Sequence, residues 1–165
     1  PVQNAKSLCE DLMTNDCDIT NVVRLQKTGT TLAAITQPCI APISLFDLQA
    51  GEGYFVTAAA ACTADIVGSH DDEYSQDGGS SVALTTGSNL VSVPYHVQAN
   101  NAFELCNDIG TITGTEPTNI VRIDPDTRLP TTNGCAAPLS LFDVTPGEAY
   151  FMTVAADMDV QWITY

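Results

Sequence analysis

Apolar and polar positions along this chain follow two rhythms. Ala102, Leu105, Cys106 and Ile109 fall at i, i+3, i+4 and i+7, the stripe of a short amphipathic helix. Asn101 stands at its N-cap position and Gly110 at its far end, which predicts where it starts and stops. Ala5, Leu8, Cys9 and Leu12 repeat the stripe behind Asn4. The rest reads as strand and turn. Residues 89–95 form a strand whose end or edge is marked by Pro94. Residues 119–123 form another, closed by the turn residues Asp124-Pro125-Asp126-Thr127. Residues 148–154 and 158–164 complete the pattern, the last alternating Met158, Val160 and Trp162 with Asp159, Gln161 and Ile163.

This rhythm is written twice. Residues 41–57, Ala-Pro-Ile-Ser-Leu-Phe-Asp-Leu-Gln-Ala-Gly-Glu-Gly-Tyr-Phe-Val-Thr, return at 137–153 with 11 of 17 positions identical. Upstream, Cys39 answers Cys135, Asn21–Arg24 answers Asn119–Arg122, and 4–12 answers 101–109. Cys62, Ala64 and Ile66 take the places of Met158, Val160 and Trp162. Such a period predicts a tandem: a mainly β chain of two homologous small β-rich, sandwich-like modules, each with one short helix. The first spans 1–68 and the second 81–165; between them, 69–80 is an acidic, Gly/Ser-rich linker or functional loop with no counterpart. The second module has the strand 89–95 ahead of its helix, where the first has only Pro1-Val2-Gln3. The first module's sheet is therefore expected to present an edge, covered either by Ser81–Thr85 folding back or by a strand from a neighbouring subunit.

Charge narrows the partners. Twenty acidic residues against 5 basic ones give −15 over 165 residues, which repels nucleic acid and anionic membranes. No apolar run approaches the roughly 20 residues of a membrane-spanning helix. Six cysteines allow fifteen pairings, and the repeat reduces them. The second module holds only Cys106 and Cys135, so if it is oxidised within itself those two pair. Their counterparts Cys9 and Cys39 then pair, leaving Cys17 with Cys62. A metal site is the competing reading, but no CxxC is present and His70 and His96 are far apart. Disulfides place the chain outside the reducing cytosol, secreted or at a cell surface after removal of a signal peptide.

The succession of Gly-x-Asn-Leu-Val-Ser-Val-Pro-Tyr at 87–95, a short helix, the strand around Arg122 and Pro-Gly-Glu-Ala-Tyr-Phe-Met at 146–152 resembles a β-rich module of bacterial cell-surface and secreted proteins that recurs in tandem. The second module carries the whole pattern; the first lacks the Asn-Leu-Val-Ser-Val-Pro opening. The resemblance implies an extracellular structural or adhesive building block, with no catalytic residues to carry over.

The chemistry points the same way. Neither His70 nor His96 stands in a nucleophile motif, and one tryptophan gives no aromatic cleft for a glycosidase, so no enzyme is expected. Calcium wants six to eight hard oxygens. Asp71, Asp72, Glu73 and Asp77 form the densest acidic loop; Asp16 and Asp18, Asp124 and Asp126, and Asp157 and Asp159 are thinner clusters. A solvated acidic surface is the competing reading. Glu52 and Glu148, and Asp47 and Asp143, recur in both copies and are expected to hold turns, with a ligand role as the alternative. The expectation is a secreted, non-enzymatic subunit of a calcium-associated extracellular filament or surface assembly, joined head to tail to copies of itself. The alternative is an extracellular ligand- or glycan-binding module.

Overall fold

A computed structural model describes residues 2–29, 31–49, 51–63, 81–94 and 97–161. The elements are α1 (Ala5–Thr14), β1 (Ile19–Thr28), β2 (Thr31–Pro38), β3 (Tyr54–Ala58), β4 (Ser81–Leu84), β5 (Gly87–Ser92), α2 (Ala102–Thr113), β6 (Asn119–Ile123), β7 (Pro130–Gly134), β8 (Ala149–Val154) and β9 (Met158–Gln161). The protein is mainly β, with three sheets among the described residues and three disulfides, Cys9–Cys39, Cys17–Cys62 and Cys106–Cys135. These are the pairings that the repeat implies. By the chain-entropy model, the Cys9–Cys39 and Cys106–Cys135 bridges, with separations of 30 and 29, are each worth roughly 3–4 kcal/mol.

The chain divides into two compact units, Pro1–Gln49 with Tyr54–Asp71, and Ala50–Gly53 with Asp72–Tyr165. The short insert Ala50–Gly53, which lies inside the 1–68 block drawn from the sequence, thus groups with the second unit.

In the first unit, β1 pairs antiparallel with β2 on one side and β3 on the other. Helix α1 covers this sheet through Ala5, Leu8, Cys9 and Leu12, which join Cys17, Ile19, Val22, Cys39 and Phe46 in one buried cluster. Asn4 begins the helix as a capping box: its Oδ1 accepts from Ser7 N at 2.9 Å, and Ser7 Oγ accepts from Asn4 N at 3.1 Å. Two of the four free amides of a first turn are satisfied this way.

In the second unit the sheet runs β5-β8-β6-β7, and β4 pairs with β9 from Ser81↔Gln161 to Leu84↔Met158. This corrects the expectation that Ser81–Thr85 covers an edge of the first unit: Leu84 is buried in the second unit's core beside Val160. Helix α2 also departs from its expected end. It runs past Gly110 to Thr113 and stops at Gly114, whose φ of 77° and N–H to Gly110 O form a left-handed cap. Gly110 is there for space. A Cβ on it would meet the Glu116 side chain at 2.5 Å.

Strand β5 is flanked by both copies of one motif. On one side it pairs with β8, and Val93 N donates to Glu148 O at 3.1 Å. On the other, Gly53 N donates to Leu90 O at 3.3 Å and Ser92 N to Gly51 O at 3.0 Å, with Glu52 opposite Val91. The insert therefore extends the second unit's sheet beyond β5. Gly51 turns the chain there with φ 79°, a conformation open to glycine. Gly53 lies so close that a Cβ would sit 2.6 Å from Ala149 Cβ and 2.8 Å from Leu90 Cγ.

Candidate functional site

The residues shared by the two copies converge on one construction in each unit, a clasp between the helix start and the loop after Cys39 or Cys135. In the first unit Ala5 N donates to Phe46 O at 3.1 Å and Leu48 N to Gln3 O at 2.9 Å, with Asp47 bridging Asn4. In the second, Ala102 N donates to Phe142 O at 3.2 Å and Val144 N to Asn100 O at 2.9 Å, with Asp143 bridging Asn101. The serine of each loop ties the first turn of the helix to the loop backbone, at amides one position apart in the two copies. Ser44 Oγ accepts from Lys6 N and donates to Phe46 O; Ser140 Oγ accepts from Ala102 N and donates to Phe142 O. Asp47 and Asp143 thus lie where the loop backbone meets the helix cap.

A buried amide holds each loop from beneath. Gln37, fully buried, donates from Nε2 to Pro38 O and Ile43 O and accepts at Oε1 from Leu45 N at 2.7 Å. Asn133, also buried, accepts from Leu141 N at 3.0 Å and donates to Gly134 O at 3.5 Å. Buried amides of this kind must be satisfied, and here the partner is the loop backbone. Across the loop, Phe46 stacks on Tyr54 and Phe142 on Tyr150, each pair with ring centroids 6.0 Å apart. The tyrosine hydroxyls accept from Gln49 N at 2.7 Å and Thr145 N at 2.8 Å.

In the second unit a charged pair joins the clasp. Arg122 donates to both Glu148 oxygens at 3.1 and 3.0 Å, and Tyr150 OH donates to Glu148 Oε2 at 2.8 Å. Burial, reinforced by the bond to Glu148, pushes the Tyr150 phenol up to about 12. The bond to Glu148 likewise raises the Arg122 guanidinium above its ordinary value. Glu148 is therefore a structural anchor, and Glu52, its counterpart, lies in the strip beside β5.

The acidic clusters are dispersed. Asp124 Oδ1 accepts from the amides of Asp126 and Thr127 and from Thr127 Oγ1; these bonds, the Thr127 amide first, hold its carboxyl below the usual range. Asp157 Oδ1 accepts from Thr86 N at 2.6 Å and Thr86 Oγ1 at 2.8 Å. Asp126 and Asp159 are exposed. Among the described residues no three of His, Cys, Asp and Glu gather where they could hold a metal ion. Asp71, Asp72, Glu73 and Asp77, with His70, His96, Ala64, Ile66 and Trp162, lie outside the described residues.

Beside the exposed Asp47 and Asp143, each clasp leaves apolar side chains outside. Ile43 and Leu45 are 67% and 54% exposed, and their counterparts Leu139 and Leu141 70% and 64%. Sequence reasoning passed over these residues. The available signal is that each alternates with a serine and a phenylalanine that serve the clasp, in loops without a charge between Cys39 and Phe46 or between Cys135 and Phe142. Among the described residues no helix is long and apolar enough to cross a membrane. Comparison of the chain with protein-family models, curated proteins and solved structures finds no match.

Proposed function

We propose that this chain is a secreted, non-enzymatic structural protein, two homologous sandwich-like modules long, that joins copies of itself head to tail into an extracellular filament or surface assembly. One observation carries the reading. The polar groups common to both copies, Asn4 and Asn101, Ser44 and Ser140, and Tyr54 and Tyr150, make bonds within the fold. The matching loop residues left at the surface are mostly apolar, Ile43, Leu45, Leu139 and Leu141 with Pro42 and Pro138, flanked by the exposed carboxylates Asp47 and Asp143. Such a division supplies packing surface rather than reactive groups. The disulfides suit an oxidising, extracellular setting.

Calcium is part of the proposal through Asp71, Asp72, Glu73 and Asp77, where an ion bound by neighbouring carboxylates offsets their mutual repulsion. Electron microscopy of the purified chain in millimolar calcium and in EGTA tests both parts. Ordered polymers that loosen in EGTA support them. Monodisperse particles that bind a glycan array overturn the filament in favour of a ligand-binding module. Polymers and a melting temperature indifferent to EGTA remove the calcium alone.

A further inference from the structure

Strand β2 is the edge of its sheet and pairs only with β1 among the described strands. Cys39 N donates to Thr20 O, and antiparallel alternation from that pair turns the N–H and C=O of Leu32, Ala34 and Thr36 away from β1. Protein edges are usually blunted by charge, proline, a bulge or brevity. Across its eight residues, Thr-Leu-Ala-Ala-Ile-Thr-Gln-Pro, β2 has no charge and no proline before Pro38, and its register with β1 is unbroken. Its counterpart in the repeat, β7, has five residues and opens on Pro130.

Charge identifies what such an edge can receive. The chain has 20 acidic residues, yet residues 19–46 contain none and carry only Arg24 and Lys27 as charges. This is the longest acid-free stretch in the sequence. Two copies at −15 repel over most approaches; across this hairpin no carboxylate opposes another.

We infer that β2 is a docking strand for β2 of a second copy of this chain. The two strands run antiparallel about a two-fold axis at Ala34, so Ala34 faces Ala34 and Leu32 of one copy faces Thr36 of the other. Each facing pair exchanges two backbone bonds, and the side chains brought together are small or uncharged. The contact is isologous and closed. It goes beyond the head-to-tail reading and does not rest on it, because it pairs copies whether or not they polymerise.

Sedimentation velocity of the full chain from low to high micromolar concentration tests the inference. The expected result is a monomer–dimer equilibrium that tightens as salt screens the long-range repulsion. Ala34→Pro deletes an outward N–H without touching the β1 ladder, and should weaken the dimer by about tenfold or more. Ala34→Cys should cross-link copies on oxidation, since facing Cα atoms about 5.5 Å apart suit a disulfide. Ala33→Cys, whose backbone faces β1, should not. A wild-type chain that stays monomeric at high concentration in high salt overturns the inference, as does a folded Ala34→Pro chain that dimerises like wild type. If Ala34→Pro does not fold, equal cross-linking at positions 33 and 34 overturns it, and cross-linking at 34 alone upholds it. Absence of polymers in the microscope with the dimer intact removes the filament reading only.

Discussion

Replacing Gln37 with leucine asks how much of the first clasp depends on one buried amide. The side chain is fully buried, and leucine fills nearly the same space while removing three hydrogen bonds, two donated at 2.9 and 3.1 Å and one accepted at 2.7 Å. A typical bond is worth about 0.5–1.5 kcal/mol net, and an orphaned buried group about 1–3 kcal/mol. Ile43 and Leu45 are exposed, so water can reach part of what the amide leaves behind, and leucine recovers some burial. The expected loss is about 2–3 kcal/mol. At roughly 4–8 °C per kcal/mol for a unit of this size, the corresponding melting transition falls by about 8–24 °C. Asn133→Leu removes one bond of 3.0 Å and a marginal one of 3.5 Å, so it should cost less, about 1–2 kcal/mol. Calorimetry with the disulfides intact, joined to amide exchange at Leu45 and Leu141, reads both the global and the local effect. A Gln37→Leu chain within about 0.5 kcal/mol of wild type, or an Asn133→Leu chain that loses more, refutes the clamp.

Gly53→Val should destabilise the second unit by about 1–3 kcal/mol through overpacking against Ala149 and Leu90, whereas Gly134→Ala, with nothing within 4 Å of its Cβ, should be neutral; urea titrations that rank them equally contradict the close approach. The Tyr150 phenol is raised to about 12 from an ordinary value of about 10. The neutral form is thus the one the fold favours: its contribution is complete below about pH 10 and declines as pH rises towards 12. Tyr150→Phe should therefore flatten the loss of stability over that alkaline window, and an unchanged slope sinks the assignment. The double substitution Cys106→Ser, Cys135→Ser should cost about 3–4 kcal/mol, seen as a lower denaturation midpoint; a loss under about 1 kcal/mol shows that the loop needs no staple.

Helix starts could be read from the sequence because they depend on local spacing, and cystine pairs because the repeat leaves one partner for each cysteine. Asn4 and Asn101 cap because an amide oxygen there reaches the first-turn N–H groups, and the apolar stripe behind each occurs twice. Gly110 misled for a physical reason: glycine is selected both for left-handed caps and for tight packing, and here Glu116 occupies the space. Strand β2 escaped notice because Ala33, Ala34 and Thr36 are all exposed, so it shows no alternation. The clasp was half visible. The repeat marked Ser44, Tyr54 and Glu148, but Gln37 and Asn133 differ in type and share only their distance from a cysteine. Arg122 with Glu148 joins residues 26 apart in sequence, a pairing that no local period encodes.

The strip Ala50–Gly53 also matters to anyone dividing this molecule. A cut anywhere in the stretch between the repeats, the natural choice for expressing halves, leaves Gly51–Gly53 with the first fragment and takes β5 away with the second. The C-terminal fragment then carries β5 with its outer row of N–H and C=O groups bare, while the N-terminal fragment keeps a Gly-Glu-Gly stretch without Leu90 and Ser92 to bond. The boundary that the repeat draws in sequence is not the boundary along which the polypeptide can be dissected. During synthesis the same strip leaves the ribosome well before its bonding partners, so the second unit's sheet is completed by a piece made with the first.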